Sequence, residues 1–243
     1  MNIPRKKIHF QIELNGRDYV YCYIKKNGCS SWKRLFMGES RYSDRLKEFD
    51  KPISFMGNFH RVRRVVDIKP ESRSVVVLRD PLERVFSAYM NRVVRLYGTR
   101  SDLIGDVENA CGKSSGSLTF KDFVLDYVCK KDDFVIDDHF RSQSSHLIDI
   151  DYTHVWRLSD MYECSCNEFG VDIANRYFKK KVNSTSHMTV DDKILPDARL
   201  DYLSEIYHSS GVVPNKKVYL AGELAEALKE RYSDDYKAME VLL

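Results

Sequence analysis

Alternating apolar and polar residues near the start of the chain predict a β-hairpin. KIHFQIEL and RDYVYCYI both alternate as strands do, and the Asn15-Gly16 pair between them is a strong signal for a tight turn. Further along, SRSVVVLRD contains the apolar run 75–78, which is typical of a strand buried on both faces. THVWRL at 153–158 predicts another strand.

Apolar residues at helical spacing mark the segments that follow these strands. PLERVFSAYMNRVV and LTFKDFVLDYVCK both show this period, a helix is expected from Ser159-Asp160, and the chain from about Ala198 reads as mainly helical. Segments 97–118 and 180–197 are rich in Gly, Ser, Thr and Asp, so we expect surface loops there. Buried strands followed by helices predict an α/β fold with a central parallel sheet flanked by helices, in one domain spanning 1–243.

Composition supports a single packed core but shows an uneven charge distribution. The 243 residues are 43% hydrophobic and carry a formal net charge of only +3. Residues 1–100 contain 22 Lys and Arg against 10 Asp and Glu, whereas the remainder contains 17 against 26. This asymmetry favours an anion-binding surface built from the first hundred residues, although two halves that neutralise each other would give the same numbers.

Cysteine spacing and hydropathy argue against a zinc protein, a disulfide-bonded protein and a membrane-spanning protein. The six cysteines form no CxxC pair, and Cys164 and Cys166 lack a second pair of ligands, so we expect neither a zinc site nor disulfides. No run of about 18 apolar residues indicates a membrane helix, and MNIPRKKIHF does not resemble a signal peptide. The expected location is therefore the cytoplasm.

The stretch YIKKNGCSSWKRLF is suited to holding an anion. Gly28 permits a sharp turn and a close approach of the backbone to a ligand, and Ser30 or Ser31 could cap the helix that follows. The first N–H groups of that helix would carry partial positive charge beside the full charge of Lys26. A single glycine with the lysine before it does not match the pattern of a nucleoside-triphosphate loop. An ordinary capped helix with solvated lysines would also explain the stretch.

A second strand-to-helix turn, VVVLRDPLERVFSAY, has a similar design. Asp80 is a predicted N-cap, Pro81 occupies the first helical position, and Glu83 could complete a capping box. Arg79 stands at the strand end just before this helix, where it could bind an anion or pair with a neighbouring carboxylate. Two such turns on neighbouring strands could hold a ligand that carries phosphates at both ends.

These two turns resemble the nucleotide-binding motifs of the carbohydrate sulfotransferases, especially the chondroitin and dermatan 4-O-sulfotransferase-like branch. IKKNGCSSWKRLF is similar to the family's loop for the 5′-phosphosulfate, and VLRDPLERVFSAY to its element for the 3′-phosphate. Weaker similarities occur in DDHFRSQSS, THVWRLSDM and RYSDDYKAM. The loop departs from the family pattern where Lys25 replaces proline and where Ser30-Ser31 replace Thr-Asn, and Arg157 lies near a family lysine.

The resemblance implies a P-loop-like sulfotransferase fold and transfer of a sulfuryl group from 3′-phosphoadenosine 5′-phosphosulfate (PAPS) to a hydroxyl of a carbohydrate, without a metal. Arg79 and Ser87 would hold the 3′-phosphate. The 5′ loop that binds the phosphosulfate would comprise Lys26, Asn27, Gly28, Cys29, Ser30, Ser31 and Trp32.

Lys26 and a histidine are the predicted catalytic residues. Lys26 would stabilise charge on the leaving oxygen. The acceptor hydroxyl needs a general base, for which histidine suits neutral pH. His60 loosely resembles the histidine that precedes the 3′ element in uronyl 2-O-sulfotransferases, and His139 matches the 4-O branch better. An unidentified carboxylate is the remaining choice.

The sequence therefore predicts a carbohydrate sulfotransferase with no nucleic-acid partner. Arg61, Arg63 and Arg64 beside His60 would suit an anionic sugar, or form a plain solvated face. Two alternatives stay open, which are a nucleotide- or glycan-binding protein without turnover and a nucleotide kinase-like phosphotransferase. The acceptor sugar, the position sulfated and the oligomeric state do not follow from the sequence.

Overall fold

The computed structural model of the chain describes residues 1–99, 101–179 and 188–243. The strands are β1 (His9–Leu14), β2 (Arg17–Cys22), β3 (Arg61–Val62), β4 (Arg73–Leu78), β5 (His154–Arg157), β6 (Thr189–Asp191) and β7 (Val212–Pro214). The α-helices are α1 (Cys29–Glu39), α2 (Pro52–Phe59), α3 (Pro81–Tyr89), α4 (Asp102–Cys111), α5 (Phe120–Asp122), α6 (Met161–Phe169), α7 (Val171–Tyr177), α8 (Leu200–Ser210), α9 (Lys216–Tyr219), α10 (Gly222–Arg231) and α11 (Ser233–Leu242). Helices α3 and α5 continue into the π-helical turns Met90–Val94 and Phe123–Val128.

The chain forms two compact units, each assembled from segments that are distant in sequence. The first unit contains Met1–Arg79, the described part of 143–183, and Lys237–Leu243. The second contains Asp80–Ser142 and the described part of 184–236. That the chain acts as a single domain over 1–243 stays a prediction.

The first unit is built on a five-stranded sheet with the order β3-β1-β2-β4-β5. β2, β4 and β5 run parallel, and β1 is antiparallel to both of its neighbours. The predicted hairpin is confirmed, because β1 pairs with β2 across a turn in which Asn15 and Gly16 have φ of 51° and 72°. Both residues are in the left-handed region, as a two-residue type I′ hairpin turn requires. The predicted α/β fold with a mostly parallel central sheet is confirmed.

Both faces of this sheet are covered, which explains the apolar run in β4. On one face Val75 and Val77 join an aromatic cluster that includes side chains of α1, α2, α6 and α7. On the other face Val76 and Leu78 pack with Leu147 and with residues near the end of α11. Successive strand residues point to opposite faces, so a strand buried on both sides must be apolar throughout.

The second unit has its own hydrophobic core, formed mainly by helices. Buried side chains from α3, α4, α8 and α10 pack around the π-helical turn Phe123–Val128. A capping box starts this segment, since the Thr119 hydroxyl accepts from the Asp122 backbone N–H at 3.1 Å and Asp122 accepts from the Thr119 N–H. A short parallel pair, β6 with β7, belongs to the same unit.

Three boundaries differ from the sequence prediction. Segment 97–118 is not a plain loop, because α4 lies within it, buries Leu103 and Val107, and packs Ile104 and Ala110 against the same core. Segment 180–197 contains β6, while residues 180–187 lie outside the described residues. β2 ends at Cys22 rather than Ile24, since its ladder pairing stops there and the chain continues into the turn.

Two further features bear on the expected class of protein. Within the described ranges, none of the helices is both long enough and apolar enough to cross a membrane. All six cysteines lie in the described part of the chain, and none forms a disulfide. The cellular compartment stays a prediction.

Two helical glycines should respond to alanine with opposite signs. A Cβ on Gly38 of α1 would lie 2.1 Å from the Tyr177 hydroxyl, whereas a Cβ on Gly57 of α2 would meet no atom within 4 Å. Gly38→Ala should lower the free energy of unfolding by about 1–3 kcal/mol through overpacking. Gly57→Ala should raise it by about 0.5–1 kcal/mol through helix propensity. Urea unfolding of both variants checks this pair, and equal effects would contradict the packing of α1 against Tyr177.

Candidate functional site

The predicted anion-binding turns of the first unit begin at the same edge of the sheet. β2 and β4 are parallel neighbours, with Cys22 paired to Val76, so both strands end at the same edge. The 5′ loop (residues 26–32) follows β2, and Arg79 follows β4. β5 is parallel to β4 and ends there with Arg157, paired to Leu78. The carboxyl ends of parallel strands are the usual place for a ligand in an open α/β sheet.

The backbone of the 5′ loop turns through two left-handed residues. Lys26 has φ of 71° and Gly28 has φ of 73°, with Asn27 between them. A Cβ on Gly28 would lie 2.6 Å from Met161 Sδ and 3.1 Å from Leu158 Cδ1, so these flexible side chains would have to shift, and the positive φ itself favours glycine. The predicted serine cap is wrong, because Gly28 is the N-cap and α1 begins at Cys29. The helix starts earlier because the left-handed glycine itself makes the turn.

This earlier start places Cys29, Ser30 and Ser31 in the first turn of α1. The first N–H groups of a helix have no carbonyl one turn before them, so they can point toward a ligand or solvent with partial positive charge. The Ser31 N–H is an exception, because it donates to the Gly28 carbonyl at 2.9 Å. Cys29 and Ser30 are half-buried, and Lys26 is half-exposed just before them. The N-terminus of the 11-residue helix α1 thus brings together backbone N–H groups, hydroxyls and an ammonium group. An oxyanion requires such hydrogen-bond donors.

The Asn27 and Trp32 side chains of this loop are turned into the protein. Trp32 is fully buried and stacks on Tyr21 with ring centroids 4.1 Å apart, within the aromatic cluster below the loop. Asn27 is also fully buried, and its Nδ2 donates to the Val77 carbonyl at 2.7 Å. Their predicted contact with the donor stays a prediction, and for Asn27 it would come from the backbone.

Gln143 joins the 5′ loop to Arg79. Its Oε1 accepts from Asn27 Nδ2 at 2.5 Å and from the Arg79 backbone N–H at 3.1 Å, and its Nε2 donates to the Arg79 carbonyl at 2.8 Å. Gln143 is 1% exposed. Sequence reasoning identified DDHFRSQSS as similar to a family segment but did not assign this residue a role, because the pairing joins residues 116 positions apart.

The predicted 3′ element has the expected N-cap, whereas the Glu83 carboxylate, expected to complete a capping box, pairs with Lys216 of the same unit. The Asp80 carboxylate accepts from the Glu83 backbone N–H at 2.9 Å, and Pro81 occupies the first turn of α3. Ser87 is half-buried on this helix, three residues after the fully buried Arg84. Arg79, the last residue of the first unit, is half-buried beyond the end of β4. The roles of Arg79 and Ser87 at a phosphate stay predictions.

His60, one predicted base, is enclosed in the first unit. It is 8% exposed, and its ring packs edge-on against Phe36 with centroids 5.0 Å apart. Nδ1 lies 2.8 Å from the Gln11 carbonyl and Nε2 lies 2.8 Å from the Ser40 hydroxyl. A carbonyl only accepts, so Nδ1 carries the proton and Nε2 accepts from Ser40. Burial lowers the pKa of His60, so the ring is neutral in the folded state.

His139, the other predicted base, has a carboxylate partner. Its Nδ1 lies 2.6 Å from Asp137 Oδ1, and its side chain is 17% exposed. Asp137 Oδ1 also accepts from the His139 backbone N–H at 2.8 Å, which holds the carboxylate in place. Because Nδ1 donates to Asp137, the lone pair of the neutral ring is on Nε2. A histidine oriented in this way by a carboxylate has the arrangement of a general base.

The chain belongs to the sulfotransferase family, whose model matches residues 17–238. It is similar to carbohydrate sulfotransferase 11 of Rattus norvegicus, with 30% identity over 104 residues that cover 40% of this chain and 29% of the relative. Carbohydrate sulfotransferase 14 of Mus musculus is 27% identical over 136 residues, which cover 50% of this chain and 35% of the relative. These findings confirm the resemblance to the carbohydrate sulfotransferases.

The chain therefore spans about a third of the length of the curated relatives that it matches. No solved structure matches it.

The burial of His60 predicts a specific pH dependence of stability. The folded state holds a neutral ring with a lowered pKa, while the unfolded chain takes up a proton below its ordinary pKa of about 6.5. As the pH falls below 6.5, unfolding is therefore favoured. His60→Gln should lower stability at pH 7.5, yet lose less further stability than the wild type when the pH is lowered to 5. Urea unfolding at both values tests this, and an unchanged pH dependence would show that the ring is accessible to protons.

Proposed function

We propose that the protein transfers a sulfuryl group from PAPS to a hydroxyl of a carbohydrate acceptor. The observation that carries this proposal is the buried Asn27–Gln143–Arg79 connection, which joins two anion-suited turns at the carboxyl edge of a parallel sheet. PAPS has a phosphosulfate at its 5′ end and a phosphate at its 3′ position, so it requires two such sites on one surface. Membership of the sulfotransferase family supports this choice over other bisphosphorylated ligands.

The residues of the first unit suit the donor. The first turn of α1 would receive the 5′-phosphosulfate through backbone N–H groups, with Lys26 beside it. Arg79 would bind the 3′-phosphate with a charge-assisted hydrogen bond. The expectation that the reaction needs no metal stays a prediction.

Transfer would proceed by in-line displacement at sulfur. The acceptor oxygen forms a bond to sulfur while the bond between sulfur and the bridging phosphate oxygen breaks, which releases adenosine 3′,5′-bisphosphate. The acceptor proton passes to a general base. Negative charge grows on the bridging oxygen, where Lys26 and the α1 terminus would stabilise it.

His139 suits the role of the base better than His60. Asp137 orients its ring and would stabilise the imidazolium that forms when the acceptor proton is taken up. Both nitrogens of His60 are bonded within the first unit, to Gln11 and Ser40. His60 as base would require its ring to leave these partners.

The acceptor class is proposed from the relatives, which are named as carbohydrate sulfotransferases. Arg5, Arg61 and Arg63 line a surface groove of about 700 Å³ in the first unit, so an anionic sugar is a suitable form of acceptor. Which sugar and which hydroxyl are modified would be read from a panel of glycans.

Two measurements test the function. Calorimetric titration should show tighter binding of adenosine 3′,5′-bisphosphate than of ATP, and labelled PAPS should transfer its sulfur to at least one glycan of the panel. Arg79→Ala should weaken bisphosphate binding by roughly 1.5–3 kcal/mol with little change in unfolding. Preference for ATP would indicate a phosphotransferase. Bisphosphate binding without transfer to any glycan of the panel, and without hydrolysis of PAPS, would indicate a binding protein.

The two neighbouring lysines should differ in their effect on turnover. Lys26 aligns with the family lysine and lies two residues before Gly28, whereas Lys25 occupies the family proline position. Lys26→Ala should lower the turnover number by about two orders of magnitude or more, with a smaller change in donor affinity. Lys25→Ala, the matched control, should change either quantity little. Single-turnover transfer from labelled donor compares the two, and a larger loss from Lys25→Ala would mean that the loop register is wrong.

A further inference from the structure

We propose that Gln143 is a positioning residue that sets the separation of the 5′ loop from Arg79, so that one donor molecule is held at both phosphate ends. This inference rests on the proposed function and adds to it a residue that contacts neither phosphate. All the groups that carry it lie in the first unit.

The hydrogen bonds of Gln143 have one consistent orientation. The Arg79 carbonyl can only accept and the Arg79 backbone N–H can only donate, so the first faces Gln143 Nε2 and the second faces Oε1. Oε1 must then accept from Asn27, which places Nδ2 of Asn27 toward Gln143. The same orientation lets Asn27 Nδ2 donate to the Val77 carbonyl at 2.7 Å. Three backbone groups, the Arg79 N–H and the carbonyls of Arg79 and Val77, thus determine the orientation of both side-chain amides.

Burial makes this connection stiff. Asn27 is 0% exposed and Gln143 is 1% exposed, so water has little access to replace their bonds. Asn27 also lies between the left-handed residues Lys26 and Gly28. Lys26 is not glycine and is therefore strained at its positive φ, so the turn persists only where neighbouring contacts hold it. The Asn27 side chain supplies these contacts, and Gln143 extends them to Arg79.

The distance between the two phosphate sites determines how much affinity a ligand with two charged ends gains. A ligand with two charged ends gains affinity from its second contact only when the two sites are separated by the length of the ligand. If the 5′ loop could shift relative to Arg79, each end of the ligand would still bind its own site. The additional affinity from binding both sites at once would fall. Removal of the amide should therefore act on ligands that use both sites far more than on ligands that use one.

This expectation gives a readout that a merely structural role would not produce. Dissociation constants would be measured for adenosine 5′-phosphate, adenosine 3′-phosphate and adenosine 3′,5′-bisphosphate. The wild type should bind the bisphosphate at least about a hundredfold more tightly than either monophosphate. Gln143→Met keeps the size of the side chain but removes its amide. It should reduce that advantage by about tenfold or more, while each monophosphate constant changes less than about threefold.

Two further variants control the experiment. Gln143→Leu removes the same amide with a differently shaped side chain and should show the same pattern, so it decides the question if Gln143→Met fails to fold. Gln11→Met alters a half-buried glutamine of β1 whose side chain contacts Asp18 and should leave all three constants unchanged. Thermal unfolding of each variant confirms that folded protein is compared.

The outcomes separate this inference from the proposed function. If the wild type binds the bisphosphate no better than the monophosphates, the proposed donor site is wrong and this inference falls with it. If the wild type shows the advantage and the variants keep it, only the positioning role is overturned. The same holds if the variants weaken all three nucleotides equally, because that result describes a general loss of structure.

Discussion

The parallel pairing of β2 with β4 is the constraint on which the candidate donor site depends. It brings two strand ends that are about fifty residues apart in sequence to the same edge of the sheet. Each strand then leaves through a turn into a helix, α1 or α3. Because neighbouring strands lie about 4.8 Å apart, the two turns begin within reach of one small ligand. Without this pairing, each turn would be an ordinary helix start.

The 5′ loop divides its residues between the interior and the surface. Trp32 and Asn27 face inward, where Trp32 stacks on Tyr21 and Asn27 bonds to the end of β4. Lys26, Cys29 and Ser30 remain partly accessible at the start of α1. Residues of one motif thus have different environments, since some hold the backbone in a strained turn and others stay accessible at the surface. Similarity to a family motif does not by itself separate these two roles.

The two candidate histidines show how environment separates residues of one chemical type. His60 is enclosed by aromatic rings and bonded at both nitrogens, so its contacts resemble those of a buried structural histidine. His139 has a carboxylate at Nδ1, which determines the position of its lone pair. The difference comes from packing and hydrogen bonding, because both rings have the same intrinsic basicity.

Local patterns in the sequence determined the hairpin, the buried strand β4, the Asp80 cap and the two anion-suited turns. Each depends on residues within about ten positions, whose spacing and turn chemistry decide the local conformation. The start of α1 at Cys29 was missed by two to three residues, since Gly28 can serve as a cap without a side chain. α4 was missed because its segment was assigned to a loop from its Gly, Ser, Thr and Asp content, although Leu103, Ile104 and Val107 follow helical spacing.

Only the tertiary structure decided which distant residues meet. The bonds of Gln143 to Asn27 and Arg79 join residues from three separate segments, and no local period carries that information. The enclosure of His60 by Phe36 and Ser40 likewise depends on how α1 and α2 pack. A sequence specifies its turns and strands through short-range preferences. It specifies contacts between distant residues only through the energy of the whole fold.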